Sequence, residues 1–140
     1  MKVKRSLCIE SDLSELERLH DAVAELGEAG NWSPDLVYQV DLVLEELIVN
    51  TVNYGYDDDA SHEIEVTLIS DGDVFTVEII DDGHAFNPLD DAPEPDLDLG
   101  IEDRPIGGLG IHLMRVMMDD VHYRREQNKN HLTLIKRRNG

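Results

Sequence analysis

The sequence has little cysteine, little positive charge and no long apolar run. Its single cysteine, Cys8, excludes an internal disulfide, so a buried thiol is the expectation. Lysine and arginine total 12 against 31 aspartates and glutamates, a net charge of −19. Broad contact with nucleic acid is excluded, because phosphates demand basic patches. No apolar stretch approaches the roughly 20 residues needed to span a bilayer, so no membrane association is expected. The opening residues MKVKRSLCIE are partly basic but are not followed by the apolar stretch of a secretory leader. A cytoplasmic setting is expected.

What is present is ordinary for a globular protein: 41% apolar and 31% charged residues in a chain of 140. That length suits one domain, residues 1–140, with a single two-layer core. The acidity is compatible with a basic protein partner, and equally with solubility alone. If so acidic a protein binds a phosphate compound, backbone amides, a helix dipole or a cation must help it.

The periodicities give an element order. Lys2–Glu10 alternates loosely and is predicted as a strand. Asp12 and Glu15 have the spacing of a capping box, and Leu13, Leu16, Leu19, Val23 and Leu26 keep a helical period after them. Gly27 and Gly30 are the stop signals. Ser33 is a good N-cap, with Pro34 in the first helical position of a second helix. Its apolar face is Leu36, Val40, Val43, Leu44, Leu47, Ile48 and Thr51, and it should end near Tyr54-Gly55. HEIEVTLIS and DVFTVEIID alternate around Asp71-Gly72, a hairpin signal. Residues 87–105 are rich in Asp, Pro and Glu and read as a long loop, a feature that is often functional. Ile111–Met118 is predicted as a short helix, followed by a hairpin turning at Asn128-Lys129-Asn130. This order predicts an α+β two-layer sandwich, with helices on one face of a mixed, mostly antiparallel sheet.

Three features carry chemistry. Glu46 and Asn50 are four residues apart and share a helix face, with Asn53 close to it. The amide oxygen can hold a hard cation and the carboxylate can accept a proton. Asp81-Asp82-Gly83 ends a strand, where a carboxylate can accept a hydrogen bond from an exocyclic amine. Gly83 there permits close approach of a flat ring and an unusual φ. Gly107-Gly108-Leu109-Gly110 opens a helix, where bare amides and the helix dipole favour an anion. It is neither a Walker A motif nor a dinucleotide fingerprint. Each feature alone has a plainer explanation: a polar rim, a simple turn, close packing. The histidines do not share metal-like spacing. His20 reads as an ordinary surface residue, and His84, His112 and His122 as local polar contacts. Trp32, Met114, Met117 and Met118 read as core or interface packing.

Together the three are more specific. Glu-x-x-x-Asn on a helix, Asp-x-Gly-x-x-Phe after a strand and Gly-Gly-Leu-Gly-Ile before a helix, with a long loop between the last two, resemble the GHKL superfamily of ATP-binding domains. Gyrase, the heat-shock chaperone, histidine kinases and MutL belong to it. The short length and the stretches NYGY, FNP and RPIGGLGI look most like the anti-sigma-factor serine kinases of the RsbW-like group. The resemblance covers nearly the whole chain and implies a Bergerat fold that binds ATP or ADP with Mg²⁺. It implies that Glu46 is the general base, that Asn50 binds Mg²⁺, and that Asp81 reads the adenine amino group beside Gly83. Gly107, Gly108, Leu109 and Gly110 would cradle phosphates. Residues 87–106 would be the ATP lid, with Arg104 at the terminal phosphate, and Thr133 would help to hold adenine. The chain departs from the pattern at Ala85, where glycine is common. It departs again at Asn53, where many histidine kinases carry a phosphate-contacting lysine.

The function implied is a serine protein kinase that phosphorylates a STAS-type anti-anti-sigma partner and sequesters a sigma factor or similar regulator. The alternative is a nucleotide-gated binding switch with little or no transfer. A homodimer is expected from the resemblance alone. A histidine kinase would need a dimerising helix pair carrying a phosphoacceptor histidine, for which this chain has no room.

Overall fold

Strand β1, Lys2–Glu10, leads into a 3₁₀ turn at Leu13–Glu15 and helix α1, Leu16–Ala29; helix α2 is Pro34–Tyr54. Four strands complete the sheet: β2, Glu63–Asp71; β3, Val74–Asp81; β4, Asp120–Glu126; and β5, Lys129–Arg137. The computed structural model describes residues 2–54, 62–85 and 114–138. The strand order is β1-β2-β3-β5-β4.

All four pairings among the described residues are antiparallel. Two helices join β1 to β2, so the chain turns back twice and re-enters the sheet in the opposite direction. Strands β3 and β4 do run the same way, as a crossover requires, but β5 lies between them and opposes both. The mixed sheet that was expected is therefore one of mixed connections and antiparallel contacts.

One face of the sheet carries the core. Ile64, Val66 and Leu68 of β2, Phe75, Val77 and Ile79 of β3 and Leu132 and Leu134 of β5 are buried against the helices. From α2 come Val40, Val43, Leu44, Leu47 and Ile48, and from α1 Leu19, Val23 and Leu26. Burying each such side chain stabilises by about 1.5–3 kcal/mol. The other face is an alternating set of polar and β-branched residues. Cys8 belongs to that face, on edge strand β1, and is exposed; the buried thiol expected from sequence is not found. Partial desolvation and then the neighbouring Glu63 carboxylate push its thiol up, which makes it a poor nucleophile at neutral pH.

The helix ends refine the sequence reading. Asp12 caps the 3₁₀ turn, accepting from the Ser14 amide at 2.9 Å, while Glu15 pairs with Arg18 instead of closing the box. Leu13 sits in that turn ahead of α1 and is 42% exposed. At the other end, Gly27 lies inside α1 and the stop falls later. Asn31 takes the left-handed conformation, φ 58°. Its amide donates to Glu28 O and the Trp32 amide to Gly27 O, the paired bonds of a Schellman motif. Gly30 serves proximity: a Cβ there would lie 2.3 Å from Ser70 Oγ and 2.7 Å from the Trp32 ring. Trp32 is buried, donates to Ser70 Oγ at 2.8 Å and meets Phe75 edge-on. At α2 the Leu36 amide reaches Ser33 Oγ, so the N-cap is where the sequence puts it. His20 is more than a surface residue. Its Nδ1 lies 2.5 Å from Asp41 Oδ1 and its Nε2 3.8 Å from Glu45 Oε1, tying α1 to α2.

Arg138 closes the end of the sheet opposite the site. Its guanidinium donates to the carbonyls of Gly30, Asn31 and Gly72 at 2.9, 3.0 and 2.7 Å. It also stacks 4.2 Å from the Trp32 ring centroid. One side chain thus joins the α1–α2 connection, the β2–β3 hairpin and the last strand. Arg138→Ala should lower stability by about 2 kcal/mol, read by denaturant melting. Arg138→Lys should recover little, since an ammonium cannot span three carbonyls in a fork.

Candidate functional site

The register of β3 on β5 builds the site's centre. Asp81, the last residue of β3, pairs directly with Asn130 of β5. Both side chains point to the helix-covered face and are buried, Asp81 at 9% and Asn130 at 6% exposure. A buried carboxylate needs hydrogen bonds, and two converge on one oxygen. The Gly83 amide donates to Asp81 Oδ1 at 2.9 Å, and Asn130 Nδ2 donates to the same oxygen at 3.0 Å. Among the described residues, Oδ2 receives no donor. The next carboxylate, Asp82, is exposed and lies 3.4 Å from His62 Nδ1. The period of two selects Asp81 over Asp82 for the inner face.

The loop after β3 is held from the far strands. Asn130 Nδ2 also donates to His84 O at 2.7 Å, the Tyr123 hydroxyl donates to Asn130 Oδ1 at 2.6 Å, and Arg125 Nη1 donates to Gly83 O at 2.8 Å. Gly83 is buried. It has no positive φ, the one such glycine among the described residues being Gly72, so unusual backbone is not its use; its amide serves the Asp81 carboxylate. Ala85 is exposed.

Helix α2 brings the second group of residues. It starts at Pro34, two residues after Trp32, and runs to Tyr54. Glu46 and Asn50 lie in its later half, are both half-buried and share one face. Burial, and then the neighbouring Glu45, push the Glu46 carboxyl above the ordinary glutamate range. That is the direction a general base at neutral pH requires. Asn53 lies in the last turn of α2; its side chain is outside the described residues, as are the lid at 87–106, Arg104, Gly107, Gly108, Leu109 and Gly110.

Thr133 is not with Asp81. It alternates with Leu132 and Leu134 on β5 and pairs with Glu78 and His122 across the open face. A strand places residues of opposite parity on opposite faces, so the residue of β5 that meets Asp81 is Asn130. Sequence reasoning assigned Asn130 to a turn. The turn is one step earlier, at Gln127 and Asn128, which both have positive φ, and β5 begins at Lys129. Tyr123 and Arg125 were also missed. Their only signal was alternation on β4, which does not say what they face.

The family model of the histidine kinase-like ATPase domain matches residues 9–136. The chain belongs to this family. A domain of this kind binds a nucleotide. The serine/threonine-protein kinase BtrW of Bordetella bronchiseptica is 32% identical over 103 residues, covering 74% of this chain and 72% of that protein. Two solved structures share the fold. The histidine kinase domain of a blue-light-activated histidine kinase from Erythrobacter litoralis has a TM-score of 0.53 at 15% identity, and it covers 89% of this chain. This chain spans 60% of that one's length. The histidine kinase AdeS of Acinetobacter baumannii has a TM-score of 0.54 at 14% identity, over 97% of this chain and 70% of that one. Among the described residues of this histidine kinase-like ATPase domain, no helix is long and apolar enough to cross a membrane. Nor is any group of three or more His, Cys, Asp or Glu placed to hold a metal ion.

Proposed function

We propose that this chain is a serine/threonine protein kinase that moves the terminal phosphate of ATP to a serine of a STAS-type partner and sequesters a sigma factor or analogous regulator. The observation that carries the reading is Glu46. It is a half-buried carboxylate, held above its ordinary pKa, one helical turn from a polar amide. Such a group can take the proton of an incoming hydroxyl. The likeness to a serine/threonine-protein kinase at 32% identity supports the same assignment.

Each role follows from chemistry. Asp81 offers Oδ2 as an acceptor for the adenine amino group. Asn50 offers an amide oxygen of the hard type that Mg²⁺ takes, and one protein ligand suits an ion that otherwise binds phosphate and water. When bound, that ion neutralises phosphate charge during an in-line transfer. Glu46 orients the serine hydroxyl and accepts its proton. The glycines at 107, 108 and 110 and Arg104 are assigned to the phosphates, and residues 87–106 to the lid.

Incubating the protein with labelled ATP, Mg²⁺ and a STAS-domain partner should place label on a partner serine and none on its serine-to-alanine variant. Magnesium-dependent ATP binding without transfer to any STAS partner would overturn the kinase reading and leave a nucleotide-gated switch.

A further inference from the structure

We propose that Asn130, braced by Tyr123, is the positioning residue that sets purine selectivity, by fixing Asp81 as an acceptor with one oxygen left for the base. The inference rests on the nucleotide reading of Asp81 given above and adds two residues to it.

The argument is a count of donors and acceptors. An asparagine amide has two N–H donors and one carbonyl acceptor. Both donors of Asn130 are engaged, one with Asp81 Oδ1 at 3.0 Å and one with His84 O at 2.7 Å. The carbonyl receives the Tyr123 hydroxyl at 2.6 Å. The orientation is fixed by these partners, since a flipped amide would set its oxygen against a carboxylate oxygen and a backbone carbonyl. The assembly spans three adjacent strands, β3, β5 and β4 in sheet order. It sets two donors, Asn130 and the Gly83 amide, on Asp81 Oδ1, and among the described residues Oδ2 receives none.

Base choice follows. Adenine presents an amino donor at its six position, and guanine presents a carbonyl oxygen there. An acceptor-only Oδ2 takes the first and repels the second. Among the described residues, the side-chain N–H group that bonds Asp81 is that of Asn130, and its donors are already committed. Without the Tyr123 hydroxyl the Asn130 amide loses one of its braces and holds Asp81 Oδ1 less firmly; without Asn130 that oxygen loses one of its two donors. A carboxylate that can turn from its place bonds the adenine amino group less well and repels a guanine oxygen less, so adenine loses its advantage. A residue that served only to stabilise the sheet would change affinity for both nucleotides together and leave their ratio alone.

The test is calorimetric titration of the full chain with ADP and GDP, for the wild type, Tyr123→Phe, Asn130→Leu and Asp81→Asn, with thermal melting of each. Tyr123→Phe removes one oxygen and keeps the ring, so it guards against loss of folding in Asn130→Leu. The expected result is that Tyr123→Phe and Asn130→Leu each reduce the ADP-to-GDP affinity ratio by about tenfold, the equivalent of one misplaced hydrogen bond. An unchanged ratio in folded Tyr123→Phe overturns the proposal. If Asp81→Asn loses ADP while the other two keep the wild-type ratio, the proposal fails and the nucleotide reading stands. If Asp81→Asn keeps wild-type ADP affinity, the reading of Asp81 fails and the proposal falls with it.

Discussion

Glu46→Gln should lower phosphotransfer by about 10²–10⁴-fold, the range a positioned general base supplies. ATP affinity should stay within about twofold, because the side chain acts on the incoming hydroxyl and not on the nucleotide. Single-turnover transfer and calorimetric binding measure the two. The same variant has a stability signature. The Glu46 carboxyl is raised in the folded protein, chiefly by burial and then by Glu45, so the fold holds this proton more tightly than the unfolded chain does. The protonated side chain's stability is fully present below the ordinary glutamate pKa of about 4.3 and is lost as pH rises from there through the raised folded value. At neutral pH the ionised group therefore weakens the fold. Glu46→Gln should melt a little higher than wild type at neutral pH, and the difference should close on acidification. Wild-type transfer should rise with pH as Glu46 loses its proton and then level off. A transfer rate in the variant equal to wild type would remove Glu46 from the base's role.

Asp81→Asn should weaken ADP binding by about a hundredfold or more. The direction comes from the two donors on Oδ1. The Gly83 amide and Asn130 Nδ2 both demand an acceptor at that point, so the new amide must turn its oxygen there. Its NH₂ then occupies the place of Oδ2 and faces the adenine amino group, donor against donor. GDP, with an oxygen at that position, should lose less than ADP. Titration of both nucleotides measures it, and unaltered ADP affinity would rule out base recognition by Asp81.

Much of the scaffold was legible in the sequence, because local chemistry decided it. Ser33-Pro34 starts α2, Asp71-Gly72 turns the first hairpin, and the alternation of Ile64, Val66 and Leu68 sorts β2 into an inner and an outer face. Glu46 and Asn50 on one helix face, and Asp81 at a strand end, followed from spacing in the same way. What was not legible depended on pairing between distant segments. Alternation says that Thr133 and Asn130 lie on opposite faces, but only the pairing of Asp81 with Asn130 says which one meets the carboxylate. Cys8 was misjudged for the same reason: β1 is short of apolar residues on one face, and composition alone does not show that Cys8 belongs to it. Leu13 was misplaced because a 3₁₀ turn has three residues per turn and delays the start of the 3.6-residue period.

The interleaving of β5 also fixes an order of assembly. A chain emerging from the ribosome can build β1, both helices, β2 and β3 early, since each meets a neighbour already made. The far edge of β3, with Phe75, Val77 and Ile79, must then wait with its backbone amides and carbonyls unpaired until β5 arrives. Asp81 waits with it, because Asn130 lies 49 residues further on. Such an edge is an invitation to the wrong strand, and closing so long a loop is slow. The carboxylate for the base is thus completed among the last parts of the sheet. Nucleotide added during refolding should therefore leave the early folding phases unchanged and act only on the finished domain.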